Sequence, residues 1–82
     1  MYKVYILSNP AGRIYIGVSE DPAVRLVQHN EGRSKWTSGK GPWNLDWTSD
    51  AMSLGAARRL ENLLKRQKGG AGLAKLKSLH GS

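Results

Sequence analysis

Residues 2–18 read YKVYILSNPAGRIYIGV, and the fold turns on this stretch. Tyr2 to Leu7 is rich in β-branched and aromatic residues, which is strand composition. Asn9-Pro10-Ala11-Gly12 has Asn first, Pro second and Gly fourth, the signature of a type I turn. When such a turn closes a hairpin, its Gly sits left-handed as a bulge. Arg13 to Val18 alternates and returns as the second strand. The turn fixes a register: Asn9 faces Arg13, Leu7 faces Tyr15, and Tyr5 faces Gly17. Parity then puts Tyr5 and Tyr15 on one face as diagonal neighbours roughly 7–8 Å apart. Val4, Ile6, Ile14, Ile16 and Val18 fall on the other, which is expected to be the better core face.

Working outward, Asp21-Pro22 is a helix start, with Asp as cap and Pro at the first helical position. Ala23, Leu26 and Val27 supply its apolar stripe, and the helix ends near Gly32. Arg25 and His29 are four apart, so they project from one side of it. Arg33 to Pro42 is a basic, Gly-rich loop, and Trp43 to Asp50 is a third strand. Ser53 caps a second helix running to about Lys68, with Ala56, Ala57, Leu60, Leu63 and Leu64 as its buried stripe and Gly69-Gly70 as its stop. Leu73, Leu76 and Leu79 predict a short last helix, and Gly81-Ser82 reads as a frayed tail. The expectation is one α/β (α+β) domain over residues 1–82, a small three-stranded antiparallel sheet flanked by helices.

With 82 residues the chain has room for one small core. It has no cysteine, which excludes disulfides, thiolate metal sites and a cysteine nucleophile and fits a reducing compartment. No apolar run approaches the ~18 residues of a membrane span, and the N-terminus begins on a strand pattern rather than a signal peptide. Thirteen Lys and Arg against six Asp and Glu give a net charge of +7. That balance favours an anionic partner, with nucleic acid first and general solubility as the plainer explanation.

The side chains able to carry chemistry are Tyr5, Tyr15, Arg25, His29 and Glu61. Each has an ordinary explanation on its own. A strand tyrosine usually packs, a helix arginine is usually solvated, and Glu61 precedes Lys65 by four residues, the spacing of a surface ion pair. As an ordered set they resemble the GIY-YIG nucleases. The first motif of that family is reduced here to Lys3-Val4-Tyr5, and the second is intact as Tyr15-Ile16-Gly17. Arg25, His29-Asn30-Glu31-Gly32, Lys35-Trp36-Thr37, Glu61 and Lys65 continue the match from Tyr2 to about Leu79. The spacing is similar to that of the small single-domain branch, which is related to the catalytic N-terminal domain of the excision-repair incision subunit.

The resemblance implies a GIY-YIG endonuclease fold and a metal-dependent DNA endonuclease, with a non-catalytic nucleic-acid-binding module or an accessory subunit of a repair complex as the alternative. It implies a single Mg²⁺ (or Mn²⁺) held by Glu61, with water and substrate phosphate completing the shell as Mg²⁺ accepts. Arg25 would hold phosphate oxygens. A tyrosine, Tyr15 before Tyr5, would exchange a proton with the attacking water, and His29 would relay a proton or bind phosphate. A free phenol has a pKa of about 10 and is a poor base without nearby cations. Lys35, Trp36 and Lys40 suit a loop that grips a strand and stacks a base. Arg58 and Lys65, with Arg59, Arg66 and Lys68, would form a second phosphate strip or simply a solvated helix face. The implied partner is DNA, single-stranded or branched, with targeting supplied either by a repair protein or by the enzyme's own reading of nucleic-acid shape; no membrane is implied, and the expected compartment is the cytoplasm. The family's larger members carry an asparagine downstream of the metal glutamate. Here Asn62 follows Glu61 directly, about 100° away round a helix.

Overall fold

The computed structural model describes residues 1–32, 39–67 and 70–81, with side chains of the last segment from residue 74. Three strands, β1 (Lys3–Ser8), β2 (Ile14–Ser19) and β3 (Asn44–Thr48), and three helices, α1 (Pro22–Asn30), α2 (Leu54–Gln67) and α3 (Gly70–His80), follow in the order β1-β2-α1-β3-α2-α3. The sheet is antiparallel with order β2-β1-β3, so the first strand is central.

The turn does what its residues dictate. Gly12 N–H donates to the Asn9 carbonyl at 3.0 Å, Asn9 N–H donates to Arg13 at 3.1 Å, and Gly12 takes φ +82°. Tyr5 pairs with Gly17 and Leu7 with Tyr15, the register expected from sequence. The α1 start is likewise as its residues require. The Asp21 carboxylate accepts from Ala23 N–H at 3.2 Å and Val24 N–H at 3.4 Å, and Pro22 opens the helix. Ser53 Oγ accepts from Ala56 N–H at 3.2 Å to start α2.

Both faces of the sheet are buried, and the Val4–Ile6–Ile16 face carries the larger cluster. On one side Val4, Ile6, Ile16 and Trp47 meet Ala57, Leu60 and Leu64 of α2, with Leu76 of α3 against them. On the other, Tyr5, Leu7 and Trp43 pack with Tyr15, Leu45 and Leu26 of α1. β3 feeds both cores because it is bulged. Ile6 pairs with Trp47 but Leu7 pairs with Leu45, so the extra residue, Asp46, turns two side chains of like parity to opposite faces.

Four expectations are corrected. Ile14 is 46% exposed, because β2 is an edge strand and its first residue lies beyond the helix that covers Ile16. Leu63 is 42% exposed and Ala56 only half-buried, since the α2 stripe is the narrower Ala57–Leu60–Leu64 line. On α1 the buried residues are Pro22 and His29, with Leu26 half-buried, whereas Ala23 and Val27 face outward. Gly81 is not frayed. It bridges Ser49, Asp50 N–H donates to the His80 carbonyl at 2.7 Å, and a β-carbon on Gly81 would collide with the Thr48 carbonyl.

Candidate active site

The site is built on the α1 side of the sheet. Tyr5, in the central strand, is 1% exposed, and its hydroxyl lies 3.0 Å from His29 Nε2. Three rings share the space: Tyr5 and Tyr15 have centroids 6.2 Å apart, Tyr5 and His29 6.0 Å, and Tyr15 and His29 4.7 Å. Gly17 makes room for them. A β-carbon there would stand 2.5 Å from the Tyr5 hydroxyl oxygen and 3.0 Å from the Tyr15 ring. Arg25, one helical turn before His29, is half-buried and donates through Nη1 to Gln28 Oε1 at 2.6 Å. Its guanidinium also reaches the Tyr5 hydroxyl closely enough to act on its ionisation.

Burial decides the charge states. Desolvation raises the Tyr5 phenol above its ordinary value of 10.0, opposed by hydrogen bonding from Arg25, with Tyr15 adding to the rise. Desolvation lowers His29 below 6.5, and the Arg25 charge lowers it further. At neutral pH Tyr5 is therefore a protonated phenol and His29 a neutral imidazole. With the ring proton on Nδ1, the phenol donates to Nε2. Tyr15 is only half-buried, so its hydroxyl is the more accessible of the two.

The structure thus brings together Tyr5, Tyr15, Arg25 and His29. Glu61 comes from the other layer. Its helix covers the opposite face, over β2 and β1, and its carboxylate is 19% exposed and 2.9 Å from Lys65 Nζ. β2 is the edge strand, so the carboxylate can join the four only past that edge. Among the described residues no three His, Asp or Glu side chains group to hold a metal. One partly exposed carboxylate with an exchangeable ammonium partner fits a cation that keeps most of its water and shares phosphate oxygens, the habit of Mg²⁺. Of the nucleic-acid candidates, Lys40, Arg58 and Lys65 are exposed, and Lys35 and Trp36 lie outside the described residues, as do Arg33, Lys68 and Gly69.

Two asparagines that the sequence names only as a turn residue and a helix-end residue also frame the site. Asn30 accepts from Trp43 N–H at 2.6 Å and donates to the Trp43 carbonyl at 3.1 Å, acting as a strand partner for the segment that leaves the loop. Asn9 Nδ2 donates to the Lys40 carbonyl at 3.0 Å while its Oδ1 accepts from Arg13 N–H at 2.8 Å. These two asparagines pin the loop exit to α1 and to the hairpin turn. A turn asparagine and a helix-end asparagine have ordinary local uses, so only the long-range partner reveals the clasp. Asn30, Gly41 and Pro42 line a cleft of about 380 Å³ that opens beside His29.

A half-buried phenol, a buried phenol, a neutral imidazole and a guanidinium thus converge on the α1 side of the sheet. The chain matches the model of the GIY-YIG catalytic domain over residues 1–74, and it belongs to that family. It is 43% identical over 67 residues to a UPF0213 protein of Aeromonas salmonicida, covering 80% of this chain and 49% of that one. It is 35% identical over 79 residues to a UPF0213 protein of Nitratidesulfovibrio vulgaris, covering 95% and 72%. It is 48% identical over 52 residues to the structure-specific endonuclease subunit SLX1 of Mus musculus, covering 54% and 19%. The chain spans about half the length of the Aeromonas relatives it matches. No solved structure matches it. No helix among the described residues is long and apolar enough to cross a membrane.

Proposed function

We propose that the chain is a metal-dependent DNA endonuclease that hydrolyses phosphodiester bonds in single-stranded or branched DNA during repair, recombination or DNA processing, in the cytoplasm. The observation that carries this reading is the hydroxyl of Tyr5, placed 3.0 Å from His29 Nε2 and within reach of Arg25 and Tyr15. The similarity to a structure-specific endonuclease subunit supports the choice of branched DNA. Arg25 binds phosphate oxygens and follows their charge as it builds. Tyr15, the accessible phenol, takes the proton of the attacking water. As it does so Tyr15 gives its own hydroxyl proton to Tyr5, and Tyr5 gives its own to the neutral imidazole of His29, so that one proton in all moves from the water to the ring. Glu61 would hold a divalent cation, which when bound polarises the phosphate and stabilises the leaving 3′ oxygen.

One observation favours a second reading. Glu61 is ion-paired to Lys65 on a helix of the opposite layer, as it would be in a non-catalytic nucleic-acid-binding module or an accessory subunit. Incubation with labelled single-stranded, flapped and duplex DNA separates the two. Cleavage with Mg²⁺ or Mn²⁺ that chelator stops supports the nuclease. Salt-sensitive binding with every substrate left whole supports the module.

A further inference from the structure

Positive charge is shared unevenly along the chain. Seven of the thirteen Lys and Arg lie at or beyond Arg58, with only one of the six Asp and Glu, Glu61. Six of the seven net charges therefore belong to α2 and α3 and the short join between them. Those helices cover the Val4–Ile6–Ile16 face, so the sheet stands between this charge and the Tyr5–His29 site.

The charge on α2 divides into two groups. At 100° per residue, Arg58 and Lys65 share a flank with Glu61, and Lys65 is its ion-pair partner. Arg59 and Arg66, seven residues apart, share another side, roughly 140–160° round the helix from Glu61. Both are exposed, and neither has a hydrogen-bond or ion-pair partner among the described residues. Lys75 is exposed on α3 in the same condition. The far end of α3 is tied to the sheet, since Trp47 Nε1 donates to the Lys77 carbonyl at 3.2 Å and Asp50 N–H to the His80 carbonyl at 2.7 Å. These like charges are thus held on a fixed layer, open to an anionic partner. The exposed Leu63 between Arg59 and Arg66 is a lone apolar side chain of the ordinary kind.

We infer that the α2–α3 layer is a second nucleic-acid docking face, on which Arg59, Arg66 and Lys75 take the phosphate backbone of a duplex segment while the opposite face handles the strand to be cut. The choice of nucleic acid over other polyanions rests on the nuclease reading. A straight strand lying across Tyr15 and Arg25 cannot also lie on Arg59 and Arg66, because the sheet and α2 intervene. The domain is only 19 Å through its shortest axis, so a nucleic acid that turns round it, or brings a second arm, meets both faces.

The test compares the full chain with its Arg59→Gln/Arg66→Gln/Lys75→Gln variant. All three positions are exposed, so thermal melting should be unchanged and shows that the variant folds. Affinity is measured against salt for a single strand just long enough for one site, for a duplex bearing a single-stranded tail, and for phosphatidylserine vesicles. The expected result is a log–log salt slope on the tailed duplex less steep by about 2 to 3, about one per lost phosphate contact, with a change of less than about 1 on the short strand. An unchanged slope on the tailed duplex, or an equal change on both DNAs, overturns the second face. So does loss of vesicle binding with DNA binding intact, which would make the layer a membrane surface. Cleavage by the wild type with an unchanged slope in the variant leaves the nuclease standing without the second face. Layer-dependent binding of uncut DNA does the reverse.

Discussion

Tyr5 and Tyr15 are the same residue in two environments, and the proposed division of their work follows that difference. Tyr5 is buried against His29, and its hydroxyl has a fixed partner. Removing it in Tyr5→Phe leaves a buried imidazole nitrogen short of a bond, so we expect a stability loss of about 1–2 kcal/mol with reduced turnover. Tyr15 is half-buried, and Tyr15→Phe should leave the melting temperature nearly unchanged while lowering turnover on saturating DNA by about 10²–10⁴-fold. Chemical melts and single-turnover cleavage on the same preparations check both. Equal melting loss in the two variants would contradict the assignment. That the two tyrosines share a face was legible in the sequence, because the turn sets the parity of the strands. That Tyr5 is buried was not, because its burial is made by Leu26 and Trp43, which come from later in the chain.

The hairpin was legible as an element for the same reason. Asn9-Pro10-Ala11-Gly12 dictates its own geometry, and Asp21-Pro22 likewise dictates the start of α1. β3 was legible only as a strand. Its bulge at Asp46 answers to two cores that must both be filled, and no local signal in WNLDWTSD carries that demand. Gly17 shows how an element makes a site. In Gly17→Ala the new methyl meets the Tyr5 hydroxyl, whose ring is packed and cannot retreat. A loss of about 1–3 kcal/mol is expected, together with loss of cleavage. Asn30→Ala removes two hydrogen bonds to the Trp43 backbone. It should cost about 1–3 kcal/mol and raise the DNA concentration needed for half-maximal cleavage more than it lowers turnover. A variant that loses turnover alone would place Asn30 in the chemistry instead.

On the scale of the whole molecule, burial of His29 and Tyr5 links folding to pH from both sides. The unfolded chain takes up a histidine proton as pH falls through about 6.5, where folded His29 still resists it. Stability should therefore decline below that pH. The unfolded chain loses the Tyr5 proton at about pH 10, where the folded chain keeps it, so stability should also decline as pH rises above 10. Urea melts across pH check this, and His29→Gln should flatten the acid limb. The same layering sets the main demand on the mechanism. Four site residues stand on the α1 side of the sheet and Glu61 on a helix of the other, so the proposed chemistry requires the two sides to meet at the β2 edge. The direct measurement is metal-dependent cleavage and binding of flapped DNA by Glu61→Gln beside the wild type and Lys65→Ala. We expect Glu61→Gln to bind as the wild type does, or slightly more tightly, and to cut nothing, while Lys65→Ala still cuts. If Glu61→Gln cuts at the wild-type rate, Glu61 is only half of a surface ion pair, and the proposed mechanism fails with it.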